Sequence, residues 1–289
     1  MNRTIRFKLI TLVAVSWIIF ILSPQKSLAL IAKKIEINLV DRLEMAETIN
    51  FEKHFQDLEI EGSIIIYDLN NDRTFQHNPQ RNTTPFSPAS TFKILNSLIA
   101  LETGVISDEI SVLTWDGVQR NIPEWNRDLN MREAFKISAV WFYQVLARRV
   151  GYDRMQHWIT QAQYGNQKIG DRSDIDRFWL DGELRISPQE QIQFLRHFYN
   201  NDLPFSDRAL SIVKDITIVE KTPDYTIRAK TGWVWFEDDE KTQIGWYVGY
   251  LEKSDNTYFF ATNIDIHNQT DLAARIELTR RCFQELTLL

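Results

Sequence analysis

Ser90 and Lys93 lie three residues apart at the head of an apolar run, Ile94 to Leu101, that reads as a buried helix closing at Gly104. Side chains at i and i+3 share one helical face, so the Lys93 amine can reach the hydroxyl it would deprotonate. That spacing offers covalent chemistry, a serine nucleophile with its base attached. Ser87 is placed to cap this helix with Pro88 in its first position. Ser90 then sits near the positive end of the helix dipole, where negative charge developing on its oxygen is favoured.

A Ser-x-x-Lys tetrad is weak on its own, and the chain contains two more. Ser23 to Lys26 falls in a leader-like segment, and Ser211 to Lys214 falls in an amphipathic stretch without an apolar pocket. Ser90 differs because further motifs follow in a coherent order. Lys230-Thr231-Gly232 opens a run of strand-forming residues, where alternation sends Lys230 and Gly232 to one face and Thr231 to the other. Gly232 removes a side chain where a substrate backbone could approach. Ser138 follows a helical segment at a break, where a loop serine could hand on a proton while Val140 supplies apolar cover. Tyr164-Gly165-Asn166 ends another helix, with Gly165 in the position of a C-cap.

The elements needed to position these groups are legible in the same pass. Gly62–Asp68 and Arg73–His77 read as a hairpin ahead of the nucleophile helix. From about Ser111 to Ile218 the pattern is helical, with segments at Asn130–Ile137, Val140–Val150 and Tyr152–Gln163, and a capping box at Ser187–Glu190. Thr226–Val234, Gln243–Glu252 and Thr257–Asn263 form an antiparallel meander, with Ser254-Asp255-Asn256 as one of its turns. A last helix from about Asp271 to Leu286, capped by Thr270 or Asp271, carries Leu272, Ile276, Leu278, Cys282 and Phe283 toward a core. The expected fold is α/β of the α+β type: an antiparallel sheet from N- and C-terminal segments, flanked by helices, with an all-α region inserted at about 110–220. The cleft between the two parts is a usual place for a small-molecule site.

Arg3, Arg6 and Lys8 precede an apolar stretch from Leu9 to Leu22, and small residues follow up to Ala29. This is the layout of a cleaved secretory leader over residues 1–29, ahead of one globular domain over 30–289. The alternative is an uncleaved anchor, for which the apolar stretch is short. Export to the periplasm, with no stable membrane insertion once the leader is removed, is the expectation. A net charge of −6 with no basic patch argues against a nucleic-acid partner. The one cysteine, Cys282, excludes an intramolecular disulfide. The five histidines show no paired-ligand spacing, so no metal is expected.

Ser90, Lys93, Ser138 and Lys230-Thr231-Gly232, with Tyr164-Gly165-Asn166 and Phe178-Trp179-Leu180 between them, resemble the class D β-lactamases, the oxacillinases, of the penicilloyl-serine transferase superfamily. The likeness runs from about Gly62 to the C-terminus and includes Phe178 to Pro188, Gly245 to Tyr250 and Arg275. The resemblance implies a β-lactamase/transpeptidase-like fold and hydrolysis of penicillins through an acyl-enzyme on Ser90. It implies that Lys93, kept neutral by Phe92, Val140, Trp179 and Leu180, captures carbon dioxide as N6-carboxylysine, with the Trp179 indole N–H donating to the carbamate. No other cofactor is implied beyond carbon dioxide or bicarbonate. The backbone N–H groups of Ser90 and Trp233 would form the oxyanion hole. Ser138 would relay a proton to the ring nitrogen, and Lys230, Thr231, Gly232 and Arg275 would hold the substrate, Arg275 through a forked carboxylate contact. For Arg275 the plain alternative is an i, i+4 pair with Asp271. Two other functions stay open: a β-lactam sensor that is acylated but not turned over, and a peptidoglycan carboxypeptidase. Whether the protein is a monomer or a homodimer is not legible.

Overall fold

The computed structural model describes residues 49–235 and 243–289; the leader and its cleavage point lie outside the described residues. The chain enters through helix α1 (Glu52–Asp57) and then strands β1 (Gly62–Asp68) and β2 (Arg73–His77), followed by the single turn α2 (Pro79–Asn82). A 3-10 turn, Ala89–Phe92, runs directly into α3 (Lys93–Glu102). The middle of the chain carries β3 (Val112–Leu113), β4 (Leu129–Asn130), α4 (Met131–Lys136), α5 (Val140–Val150), α6 (Tyr152–Gln161), α7 (Pro188–Asn200) and α8 (Asp207–Ile216). It closes with β5 (Ile218–Lys221), β6 (Tyr225–Val234), β7 (Gln243–Lys253), β8 (Thr257–Ile266) and α9 (Asp271–Glu285).

Six strands form one antiparallel sheet in the order β2-β1-β8-β7-β6-β5. β1 is buried along its whole length because it has a neighbour on each edge and helices over both faces, which is why its sequence reads Ile64-Ile65-Ile66 without alternation. The N-terminal hairpin therefore joins the C-terminal meander in one sheet, as the sequence pattern implies. The two hairpin turns are tied together: Asn256 donates from Nδ2 to Asp68 Oδ1 at 2.8 Å, and Asn70 N donates to Asn256 Oδ1 at 3.1 Å. Ser254-Asp255-Asn256 is thus a structural turn at the far end of the sheet.

The helical insertion matches the sequence pattern closely, with side-chain capping boxes at Asn130/Glu133 and Ser187/Glu190. A two-residue ladder between β3 and β4 is the one strand pairing within it among the described residues. β5 was not expected; four half-buried and exposed alternating residues directly after a helix are too short a signal to separate from a loop. On α9, Leu278, Cys282 and Phe283 are buried as expected, with the Phe283 ring against Phe260 at 5.2 Å. Ile276 instead lies 38% exposed, because it shares a face with Glu277 and Ala273 rather than with Leu278. Neither proposed cap holds the helix: Thr270 makes no side-chain cap, and the Asp271 carboxylate accepts from the preceding N–H groups of His267 and Asn268.

Candidate functional site

Lys93 is fully buried and its Nζ lies 2.6 Å from Ser90 Oγ. Ser90 sits in the 3-10 turn and Lys93 begins α3, so the tighter winding of the turn brings the pair into contact. Burial pushes the Lys93 amine well below its ordinary range, and the like charge of Lys230 adds to the effect. The walls are aromatic. Nζ of Lys93 lies 5.4 Å from the centre of the Tyr143 ring, while Phe92 stacks on Trp179 at 5.5 Å and meets Phe178 edge-on at 5.1 Å. Trp179 is itself fully buried, yet its indole N–H has no hydrogen-bond partner among the described residues. A buried donor without an acceptor is costly, so this pocket fits a small group bearing an oxygen.

Ser87 does not cap the nucleophile helix. The backbone enters through Pro88 in a helical conformation, Ala89 turns into the left-handed region at φ +46°, and no side chain caps the 3-10 turn. The Ser87 hydroxyl points away, toward the carbonyls of Trp179 and Leu180 at 3.0 and 2.8 Å. The turn is held through Thr91, whose Oγ1 donates to Pro88 O at 2.8 Å and accepts from Gln191 Nε2 of α7 at 2.9 Å.

Lys230 is 4% exposed, with Nζ 5.5 Å from the centre of the Phe135 ring. Desolvation lowers its pKa to about 7, with Arg275 contributing. Its Nζ donates to Thr231 O at 3.1 Å, with Thr231 Oγ1 at 3.4 Å. Gly232 faces the nucleophile turn, where an added Cβ would stand 3.1 Å from Pro88 O, Thr91 Cγ2 and the Cβ of Trp246. Its missing side chain therefore lets strand and turn pack, which differs from the substrate-approach role expected from sequence. Among the described residues the upper half of β6 also has an open edge. Ala229 N donates toward β5, to Thr217 O at 2.8 Å, and β5 pairs only as far as Arg228. The two-residue period points the amides of Thr231 and Trp233 to that same edge, past the end of β5. The Trp233 ring is 38% exposed, its Nε1 donating to Gln243 Oε1 at 2.9 Å.

Arg275 makes no pair with Asp271; its Nη1 donates to Gly232 O at 2.7 Å. Burial lowers its pKa to about 10, and its Nε lacks a partner among the described residues. Ser138 occupies the left-handed region at φ +58°, in a Schellman turn where its N–H bonds Phe135 O and that of Ala139 bonds Ala134 O. Glycine is preferred there, and serine costs about 1 kcal/mol. Trp125, unremarked in the sequence, holds the turn by donating from Nε1 to Ile137 O at 3.0 Å. Among the described residues no hydrogen bond links the Ser138 hydroxyl to either lysine; Phe135, three residues earlier, lies under Lys230. Val140 and Leu180 are half-buried.

Tyr164-Gly165-Asn166 lies past the end of α6, whose cap is Ala162, so Gly165 is not its C-cap. A Cβ on Gly165 would stand 2.1 Å from Arg185 O, and Asn166 accepts from Arg185 N and donates to Glu183 O. The tripeptide clamps the chain that follows Trp179. Neither this clamp, the Ser87 contacts nor the Tyr143 and Phe135 walls left a local signal, since their partners lie tens of residues away.

A family profile for the penicillin binding protein transpeptidase domain matches residues 62–284. The chain is 42% identical to β-lactamase OXA-48 of Klebsiella pneumoniae over 242 residues, 84% of this chain and 89% of that one. It is 39% identical to the probable β-lactamase YbxI of Bacillus subtilis over 216 residues, 75% of this chain and 78% of that one. Among solved structures, the class D β-lactamase YbXI from Nostoc aligns with a TM-score of 0.81 at 55% identity, covering 84% of this chain and all of its own length. FUS-1 from Fusobacterium nucleatum, also class D, aligns with a TM-score of 0.79 at 39% identity, covering 83% and 98%.

Proposed function

The chain belongs to the class D β-lactamases, a serine hydrolase group within the penicillin binding protein transpeptidase family, and from that premise we propose that it hydrolyses penicillins through an acyl-enzyme on Ser90. The observation that carries the proposal is the 2.6 Å contact between Ser90 Oγ and a buried amine whose pKa desolvation pushes well below its ordinary range.

The unpartnered Trp179 N–H fits a carboxylated Lys93, which Trp179 would hold. Carbon dioxide taken up by the neutral amine, with one proton released, would supply an anionic base for the Ser90 proton and later for that of the hydrolytic water. Ser90 Oγ attacks the lactam carbonyl, and the carbonyl oxygen takes up charge between the N–H groups of Ser90 and Trp233. The open edge of β6 supports that second donor. Ser138 passes a proton to the departing ring nitrogen as the amide bond breaks. Arg275, Lys230 and Thr231 hold the substrate carboxylate, Gly232 lets β6 pack against the nucleophile turn, and Val140, Leu180 and the exposed Trp233 ring line the mouth.

Residues 1–29 support export to the periplasm with loss of the leader; N-terminal sequencing of the secreted protein, expected to begin at Leu30, tests this. The activity is tested by mixing the protein with a penicillin and following both hydrolysis and intact mass. Turnover with a transient adduct on Ser90 is expected. A persistent adduct would instead make the protein a sensor, and absence of both adduct and hydrolysis would overturn the proposal.

A further inference from the structure

Ser87 stands outside the reacting groups, yet it is fastened on both sides. Its carbonyl accepts from the buried Trp246 indole at 2.9 Å, which roots it in β7. Its hydroxyl carries one proton, shared between Trp179 O at 3.0 Å and Leu180 O at 2.8 Å. The neighbouring residue extends the attachment, since Phe86 N bonds Ile186 O at 3.0 Å and Ile186 N bonds Phe86 O at 2.8 Å. The loop from Trp179 to Ile186 is thus held at its far end by backbone pairing and at its near end by the Leu180 N–H bond to Arg177 O at 2.8 Å together with the Ser87 hydroxyl on the two carbonyls.

The near end bears the indole whose N–H has no partner. Such a donor gains free energy by turning toward water whenever its backbone is allowed to shift. Among the described residues, the Ser87 hydroxyl is the hydrogen-bond donor to the carbonyls of Trp179 and Leu180, so it opposes that shift from the carbonyl side.

We propose that Ser87 is a positioning residue for lysine carboxylation: its hydroxyl holds the Trp179 backbone so that the indole N–H is in place before carbon dioxide arrives. This rests on the reading of Lys93 as the carboxylated base. Preorganisation of this kind raises affinity by removing an ordering cost from the bound state, so its loss appears in the bicarbonate requirement rather than in the chemistry that follows.

The test compares Ser87→Thr with Ser87→Val, side chains of equal shape that differ in the hydroxyl, by titrating each with 13C-labelled bicarbonate and integrating the lysine carbamate resonance. The threonine variant is expected to follow the wild type, and the valine variant to need about tenfold more bicarbonate for half occupancy. Saturating bicarbonate should restore kcat in the valine variant. Ser87→Ala, which adds no volume, is expected to show the same weakening and decides the matter if the valine variant does not fold. Coincident occupancy curves for threonine and valine, or an alanine curve matching wild type, overturn the tether. A wild-type protein without any carbamate resonance overturns the Lys93 reading itself, and the tether falls with it.

Discussion

Gly232→Ala separates two accounts of the glycine in Lys230-Thr231-Gly232. The new methyl would meet Pro88 O, Thr91 Cγ2 and the Trp246 Cβ, each at 3.1 Å, where carbon contacts settle at about 3.5–4.0 Å. None of the three yields easily. Pro88 O already accepts from Thr91 Oγ1, Thr91 is held by Gln191, and the Trp246 indole is fixed to Ser87 O. The strand and the nucleophile turn must therefore separate by several tenths of an ångström. Overpacking of this kind costs about 1–3 kcal/mol, which for a domain of this size lowers the melting temperature by about 2–12 °C. The same displacement moves Ser90 relative to the Trp233 N–H, so kcat should fall about ten- to a hundredfold on every substrate, irrespective of its side chain. Calorimetry and steady-state kinetics on a large and a small penicillin measure both effects. An unchanged melting temperature, with KM alone raised and more so for the larger substrate, would refute the packing account and return Gly232 to substrate clearance.

Trp179→Phe keeps the stack on Phe92 but removes the N–H; half carboxylation of Lys93 should then need about ten- to a hundredfold more bicarbonate, read from the 13C carbamate signal. Arg275→Ala should raise KM for penicillins about ten- to a hundredfold with a smaller change in kcat, and Arg275→Lys should not restore it, because a lysine lacks the planar fork that lets one guanidinium hold Gly232 O and present further N–H groups in a fixed direction. Lys230 titrates at about 7 in the fold and at its ordinary value of 10.5 when unfolded. Between those limits the unfolded chain binds more protons, so stability rises with pH, by up to about 1.4 kcal/mol per pH unit, and is lost toward acid as the buried amine charges. Urea denaturation at pH 7 and 9 without bicarbonate should show this slope, and Lys230→Met should reduce it, leaving the part that the buried Lys93 contributes; an unaltered slope would rule out Lys230 as a source.

Local order determined much of this protein. The helix that pairs Lys93 with Ser90, the capping box at Ser187, and the strand carrying Lys230-Thr231-Gly232 all follow from patterns of a few residues, since caps and alternation act over that range. The order of the motifs along the chain was enough to suggest the family. Roles that depend on what lies opposite were beyond reach. Ser87 has the sequence of a helix cap, but its hydroxyl has two carbonyls from residues 92 and 93 positions away, and a nearby acceptor pair outweighs one cap. Gly165 and Gly232 read as a helix end and a substrate clearance, and tertiary packing made both into points of close backbone approach. Arg275 had a helical neighbour to pair with and was drawn instead to the carbonyl of Gly232. Desolvation shows the same division. A lysine in an apolar sequence is only a candidate for a lowered pKa, and it is complete burial in the fold, beside the Tyr143 ring and with a second amine nearby, that makes the shift.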